Sequence, residues 1–266
     1  MGQASAMGQA SAMGPASAMG RNPLTAVHVA VSWLTVAPVP APRVEMDRST
    51  GGAVIATVPV VGALLGGVAA AAAYGLSRTE LPDLLVGVLI VALLALTTRG
   101  MHVDGLADTV DGLGCYGDAD RIREVMRSGD VGPFGAATLA IVLGAQSVAF
   151  GALAADEHWW QIGFAVALAR VAVVYVCRAG LPPADSNGFG ALVAGTARWS
   201  ILVWTILAVG AAWPLGTRAL CAVAAVAVFS VAFSAHCRRR MGGVSGDVLG
   251  AVIELSTALT LVILCA

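Results

Sequence analysis

The sequence has no lysine; all 15 of its basic residues are arginines, which we read as a GC-rich coding bias rather than as chemistry. Charge of either sign is scarce. Asp, Glu, Lys and Arg together make up 12% of the 266 residues, against about 25% in an average soluble domain. That shortage excludes a soluble fold of this size, which would have to cover its surface with polar groups. Hydrophobic residues fill 58% of the chain and the mean hydropathy is +0.83, so a lipid bilayer is the natural solvent. A net charge of −1 excludes nucleic acid as a bulk electrostatic partner. The five cysteines, Cys115, Cys177, Cys221, Cys237 and Cys265, contain no CxxC pair and mostly sit in or beside apolar segments. They read as reduced, packed residues rather than a disulfide framework or a zinc site.

Residues 1–20 repeat a small polar unit, MGQASA, without an apolar run. They cannot serve as a signal h-region and are expected to be disordered. Residues 21–266 are left as one membrane-embedded domain.

A helix crossing the roughly 30 Å hydrocarbon core needs about 20 apolar residues. Apolar runs cover 53–76, 84–98, 134–155, 159–181, 199–235 and 248–266, and Pro214-Leu215-Gly216 divides the 199–235 run in two. The expected fold is therefore all-α: a polytopic transmembrane bundle of about seven spans. The 24–37 segment is too short to span and ends at Pro38-Val39-Pro40, so it reads as an interfacial or re-entrant helix.

The arginines orient this bundle. Arg43 and Arg48, then Arg121, Arg123 and Arg127, then Arg178 and Arg198, then Arg238, Arg239 and Arg240 all fall on one side if the chain alternates. The other side holds Arg78 and Arg218 with Asp156 and Glu157. By the positive-inside rule the first side is cytoplasmic, with the N-terminus inside and the C-terminus outside.

On that cytoplasmic side Asp104, Asp108 and Asp111 stand at i, i+4 and i+7. On a helix this gathers three carboxylates on one face. Unscreened, they repel one another. A divalent cation is the natural counter-charge, and Mg²⁺ takes hard oxygen ligands and bridges carboxylates to substrate phosphates. His102 falls on another face of the wheel and is not expected to be a ligand.

Gly112, Gly114 and Gly117 close this helix, and 118–127 reads as a short amphipathic surface helix. Its charges suit a solvated face, with Arg123 and Arg127 as candidate phosphate ligands through their guanidinium groups. Further on, Gly242-Gly243-Val244-Ser245-Gly246-Asp247 precedes the last span. Gly243, Ser245 and Gly246 are candidate donors to an anion at a helix N-terminus. Asp247 and Glu254, seven residues apart on one face, extend the candidate metal ligands. A carboxylate two turns into a span is a functional candidate by default; Glu254 also suits a structural pairing with the mid-span Arg170. Both motifs face the same side, so they are expected to form one site, which Asp185, Asn187, Gly188 and Gly190 help to cover.

His102-Val-Asp104-Gly105-Leu106-Ala107-Asp108-Thr-Val-Asp111-Gly112 resembles the HxDGLADxxDG signature of the cobalamin synthase family, the adenosylcobinamide-GDP ribazoletransferases. Pro38-Val39-Pro40, the 131–135 stretch VGPFG, and Gly243-Val-Ser245-Gly246-Asp247 with Glu254 agree in order. The resemblance covers about residues 24–266. Ser128-Gly129-Asp130 departs from the family's Asp-Ser-Arg, which weakens a phosphate role for that strip, and Ser245 replaces a threonine. The resemblance implies a membrane transferase of a bacterial plasma membrane with its site facing the cytoplasm. It implies transfer of adenosylcobinamide phosphate from adenosylcobinamide-GDP to α-ribazole or its 5′-phosphate, with Mg²⁺ and release of GMP. Asp108 and Asp111 are the candidates for the base that takes the ribazole hydroxyl proton. A homo-oligomer is compatible with the sequence.

Two rivals fit less well. A CDP-alcohol phosphotransferase would continue Asp108-Thr-Val-Asp111-Gly112 with Ala-Arg, where this chain has Cys115-Tyr116. A transporter would place its carboxylates near the midplane, whereas most of these lie beside a loop.

Overall fold

The computed structural model describes residues 22–40 and 42–266; the 1–20 repeat lies outside them. Helices follow one another with no named strand among the described residues: α1 (Pro23–Leu34), α2 (Arg48–Leu76), α3 (Asp83–Thr97), α4 (Met101–Gly114), α5 (Ala119–Met126), α6 (Pro133–Ala155), α7 (Trp159–Val176), α8 (Phe189–Val193), α9 (Trp199–Ala212), α10 (Thr217–Met241) and α11 (Gly246–Cys265). Their starts carry local signals. Asn22, Asp47, Asp118 and Ser245 each accept a backbone N–H of the first turn, and proline opens α1 and α6. These caps satisfy donors that the helix itself leaves orphaned.

α7 is the hub, buried along almost its whole length, with α2, α11 and α10 packed around it. Small residues let backbones approach. Gly66 of α2 lies against the carbonyl of Gly163, and Gly87 of α3 against that of Ser147 in α6. Without a hydrophobic drive between helices in lipid, such close van der Waals packing holds a membrane bundle together.

Five helices, α2, α6, α7, α10 and α11, are long and apolar enough to cross a membrane alone. A sixth crossing is available if α3 and α4, bent by 92°, count as one broken span. The remaining expected span, the fifth in chain order, is α9, an apolar helix of 14 residues followed by the 3-10 turn Trp213–Leu215 at the foreseen proline break; it is too short to count as a crossing alone, so the described residues give five or six spans rather than seven. α7 ends at Val176, short of residue 181. The bundle is polytopic and all-helical, as the hydropathy predicts.

The arginine-bearing segments converge at one end. Arg48 donates to the carbonyls of Ala191 and Ala194, Arg127 pairs with Asp185 at 3.0 Å, Arg123 donates to Met241 O at 2.7 Å and Arg240 to Cys115 O at 3.0 Å. Elsewhere, Arg78 and Glu157 lie 3.7 Å apart.

Candidate active site

The aspartate motif sits on α4, whose direction is set by the break before it. Arg99 (φ 57°) and Gly100 (φ 71°) both take the left-handed conformation that ends α3. Glycine adopts it without strain; arginine does so at a cost. Arg99 is held by its own side chain, which donates to the carbonyls of Ser32, Trp33 and Thr35 at 3.1–3.3 Å. The chain thus turns through 92° and lays α4 along α11.

That seam is closed by two glycines. A Cβ on Gly105 would come within 2.8 Å of the Asp247 carbonyl oxygen, and one on Gly250 within 3.1 Å of the His102 Cα. The glycines therefore bring the two sequence motifs, far apart in the chain, into backbone contact. Asp104 and Asp247 line one cavity of about 530 Å³. The Asp247 carboxylate accepts the Ser245 hydroxyl at 3.3 Å. Among the described residues the Asp104 and Asp108 carboxylates have no hydrogen-bond partner. The charges of Asp104, Asp247 and Asp111 all bear on Asp108.

A second groove, of about 310 Å³, adjoins the first and contains Arg123, Arg127, Ser245, Gly246 and Asp247. Four of the five expected nucleotide-binding residues therefore meet there. Gly243 does not: its open face lies against the backbone of Pro182 and Pro183, where Val244 N donates to Pro182 O at 3.0 Å. Arg123 and Arg127 are steadied by Asp120 and Asp185.

Three expected ligands lie off the wall of the larger cavity: Asp108, which lines neither space, and Asp111 and Glu254, which have partners of their own. The Asp111 carboxylate is buried and accepts Gly132 N–H at 2.8 Å and Gly135 N–H at 2.9 Å, capping the start of α6 from a neighbouring helix. Both its oxygens are committed to helix docking. Glu254 accepts the Gln146 amide at 2.9 Å and lies 4.0 Å from His102 Nδ1. Arg170 does not touch it within ion-pair distance; the Arg170 guanidinium reaches Val166 O at 3.2 Å and His102 Nδ1 at 3.4 Å. The helical wheel puts His102 on another face, yet it lines the same cavity as Asp104 and Asp247, in contact with Arg170. Sequence reasoning also passed over Gln146, although a single amide within an apolar span was a visible signal. Among the described residues no three His, Cys, Asp or Glu side chains stand close enough to hold an ion by themselves. Asp104 and Asp247 by themselves would leave an Mg²⁺ ion short of ligands, so such an ion would need further oxygens from a bound molecule and water.

Comparison with known proteins agrees with this geometry. Residues 26–265 match a family model described as cobalamin-5-phosphate synthase. The chain is similar to proteins named adenosylcobinamide-GDP ribazoletransferase. One from Corynebacterium efficiens is 36% identical over 247 residues, covering 89% of each chain. One from Nocardioides sp. is 38% identical over 232 residues, covering 87% of this chain and 94% of its own. One from Geotalea daltonii is 32% identical over 240 residues, covering 90% and 96%. No solved structure matches the chain. With Asp104 of the signature and Asp247 of the second motif on one cavity wall, and the match running from the first described helix to the last, the chain belongs to the cobalamin-5-phosphate synthase family.

Proposed function

We propose that the chain transfers the adenosylcobinamide-phosphate moiety of adenosylcobinamide-GDP to α-ribazole or its 5′-phosphate and releases GMP, the late nucleotide-loop step of cobalamin assembly. The observation that carries the reading is that Asp104 and Asp247, one from each family motif, line the same cavity. The acceptor hydroxyl oxygen attacks the cobinamide-linked phosphorus, the pyrophosphate P–O bond breaks, and the bridging oxygen leaves with GMP. Asp108, which has no hydrogen-bond partner among the described residues, takes the hydroxyl proton. Arg123 and Arg127 hold the departing nucleotide's phosphate. Ser245 fixes the Asp247 carboxylate. Mg²⁺, held by Asp104, Asp247 and substrate phosphate oxygens, would neutralise charge on the pyrophosphate. Asp111 and Glu254 support the site by positioning α6 and His102.

The convergence of arginine-bearing segments supports a bacterial plasma-membrane protein whose site opens to the cytoplasm. Purified protein in detergent, given adenosylcobinamide-GDP, α-ribazole 5′-phosphate and Mg²⁺, is expected to form the cobalamin product and GMP, and to stop on chelation. Absence of GMP release would defeat the reading, and turnover unaffected by chelation would remove the metal. Orientation is tested by external thiol labelling in a background without the five native cysteines. A cysteine at Ser128 or Ser245 should be protected and one at Glu157 reached.

A further inference from the structure

The two cavities differ in chemistry and share only Phe189, Gly246 and Asp247. The smaller groove carries more of the charge, with two guanidinium groups, Asp185 and a glycine-rich backbone. The larger cavity has an apolar wall from Ile55, Val58, Val61 and Leu65 of α2. Its polar groups lie along the α4–α11 seam: Asp104 and Asp247 first, then His102 and Arg170. His102 precedes Asp104 by two residues, so the two sit about 3 Å apart along the helix axis.

Arg170 is the unusual member. It is 4% exposed, it lines the cavity, and no carboxylate lies within ion-pair distance of it among the described residues. Among the described residues its hydrogen-bond partners are one backbone carbonyl and one imidazole nitrogen. A buried cation costs free energy unless an anion answers it. The Glu254 charge bears on Arg170, but the two lie outside ion-pair distance and the carboxylate is shared with His102 and Gln146. A guanidinium in this setting matches a phosphate, which it can grip with two parallel hydrogen bonds.

We propose that the larger cavity is the acceptor's subsite: it takes a ribonucleoside 5′-phosphate with an apolar aromatic base, the base against α2 and the phosphate facing Arg170. The donor's guanosine nucleotide occupies the Arg123–Arg127 groove, and the two substrates meet at Asp247. This assignment rests on the transfer reaction proposed above. Guanine is the poorer tenant of the apolar wall, because its amide and amino groups would lose water without gaining partners. The acceptor's base has no such groups to satisfy. A volume of about 530 Å³ lies within the usual range of small-molecule sites. Arg170 is a specificity-determining residue in this scheme, not a catalytic one.

The test compares two acceptors within each variant of the detergent-solubilised full chain. kcat/KM is measured for α-ribazole and for α-ribazole 5′-phosphate, and their ratio is taken, so any loss of folded enzyme cancels. Wild type is expected to favour the phosphate. Arg170→Gln should cut that preference at least about tenfold, the scale seen when a buried polar contact to substrate is lost, and Arg170→Lys should keep part of it. Val58→Trp should raise the KM of both acceptors, with the KM of adenosylcobinamide-GDP and the ratio unchanged. A wild type indifferent to the phosphate, or an Arg170→Gln ratio equal to wild type, overturns the role of Arg170. A Val58→Trp variant with an unaltered acceptor KM, or with an equally raised donor KM, overturns the cavity assignment. A wild type that yields no product defeats the transfer reading and this assignment with it; a working wild type with unaltered variants defeats this assignment alone.

Discussion

Asp104 and Asp111 belong to one motif and one helix, two turns apart, yet their surroundings differ. Asp104 is exposed to the cavity and has no hydrogen-bond partner among the described residues. Asp111 is buried, with both oxygens bound to backbone amides at the head of α6. Identical side chains at helical spacing have become one group kept free for a ligand and one spent on docking. A carboxylate accepting two backbone N–H bonds is a strong clamp, so Asp111 fixes the helix that presents Asp104.

Mutations can sharpen or break this contrast. Asp104→Asn should lower kcat/KM at least about a hundredfold, close to 3 kcal/mol of transition-state stabilisation, while the thermal unfolding midpoint stays at the wild-type value. Near wild-type turnover would place Asp104 outside the chemistry. Asp108→Ala and Asp247→Ala should each be severe, and the double variant little worse than the poorer single one, since residues acting as a unit are strongly non-additive. Fully multiplicative losses would separate the two motifs. Asp111→Asn should act in the opposite way to Asp104→Asn. It weakens two charge-assisted bonds and should destabilise the fold by about 1–3 kcal/mol, read as a lower melting temperature in detergent with activity per folded molecule largely kept. Equal stability with lost activity would make Asp111 a chemical residue after all. The smallest effect belongs to Ser245→Ala, which removes the cap of α11 and should cost about 1 kcal/mol.

Much of this arrangement was legible in the sequence. Apolar run lengths gave the helices, prolines gave the break after α9, and the spacing of Asp104 and Asp108 put both on one face. The pairing of the two motifs followed from arginine bias alone, and the α4–α11 contact through Gly105 and Gly250 agrees with it. Hydropathy could not show the 92° turn, because that depends on the positive φ of Arg99 and on carbonyls offered by α1. Nor could spacing distinguish Asp111 from its neighbours, since its partners are backbone amides of a different helix. His102 was set aside on a helical wheel, and only tertiary packing against Gly250 and Arg170 turns it toward the cavity.

The α4–α11 seam also has a meaning in time. Synthesis completes α4 at Gly114 and does not reach α11 until Gly246. At about 5–20 residues per second the roughly 130 intervening residues take about 7–26 s. Through that interval the carboxylates of α4 have no α11 backbone beside them. α11 therefore joins the seam well after α4 has formed, and the cavity wall that carries Asp104 and Asp247 is complete only then. A chain truncated before residue 246 should insert most of its helices and still be inert, because its cavity lacks Asp247.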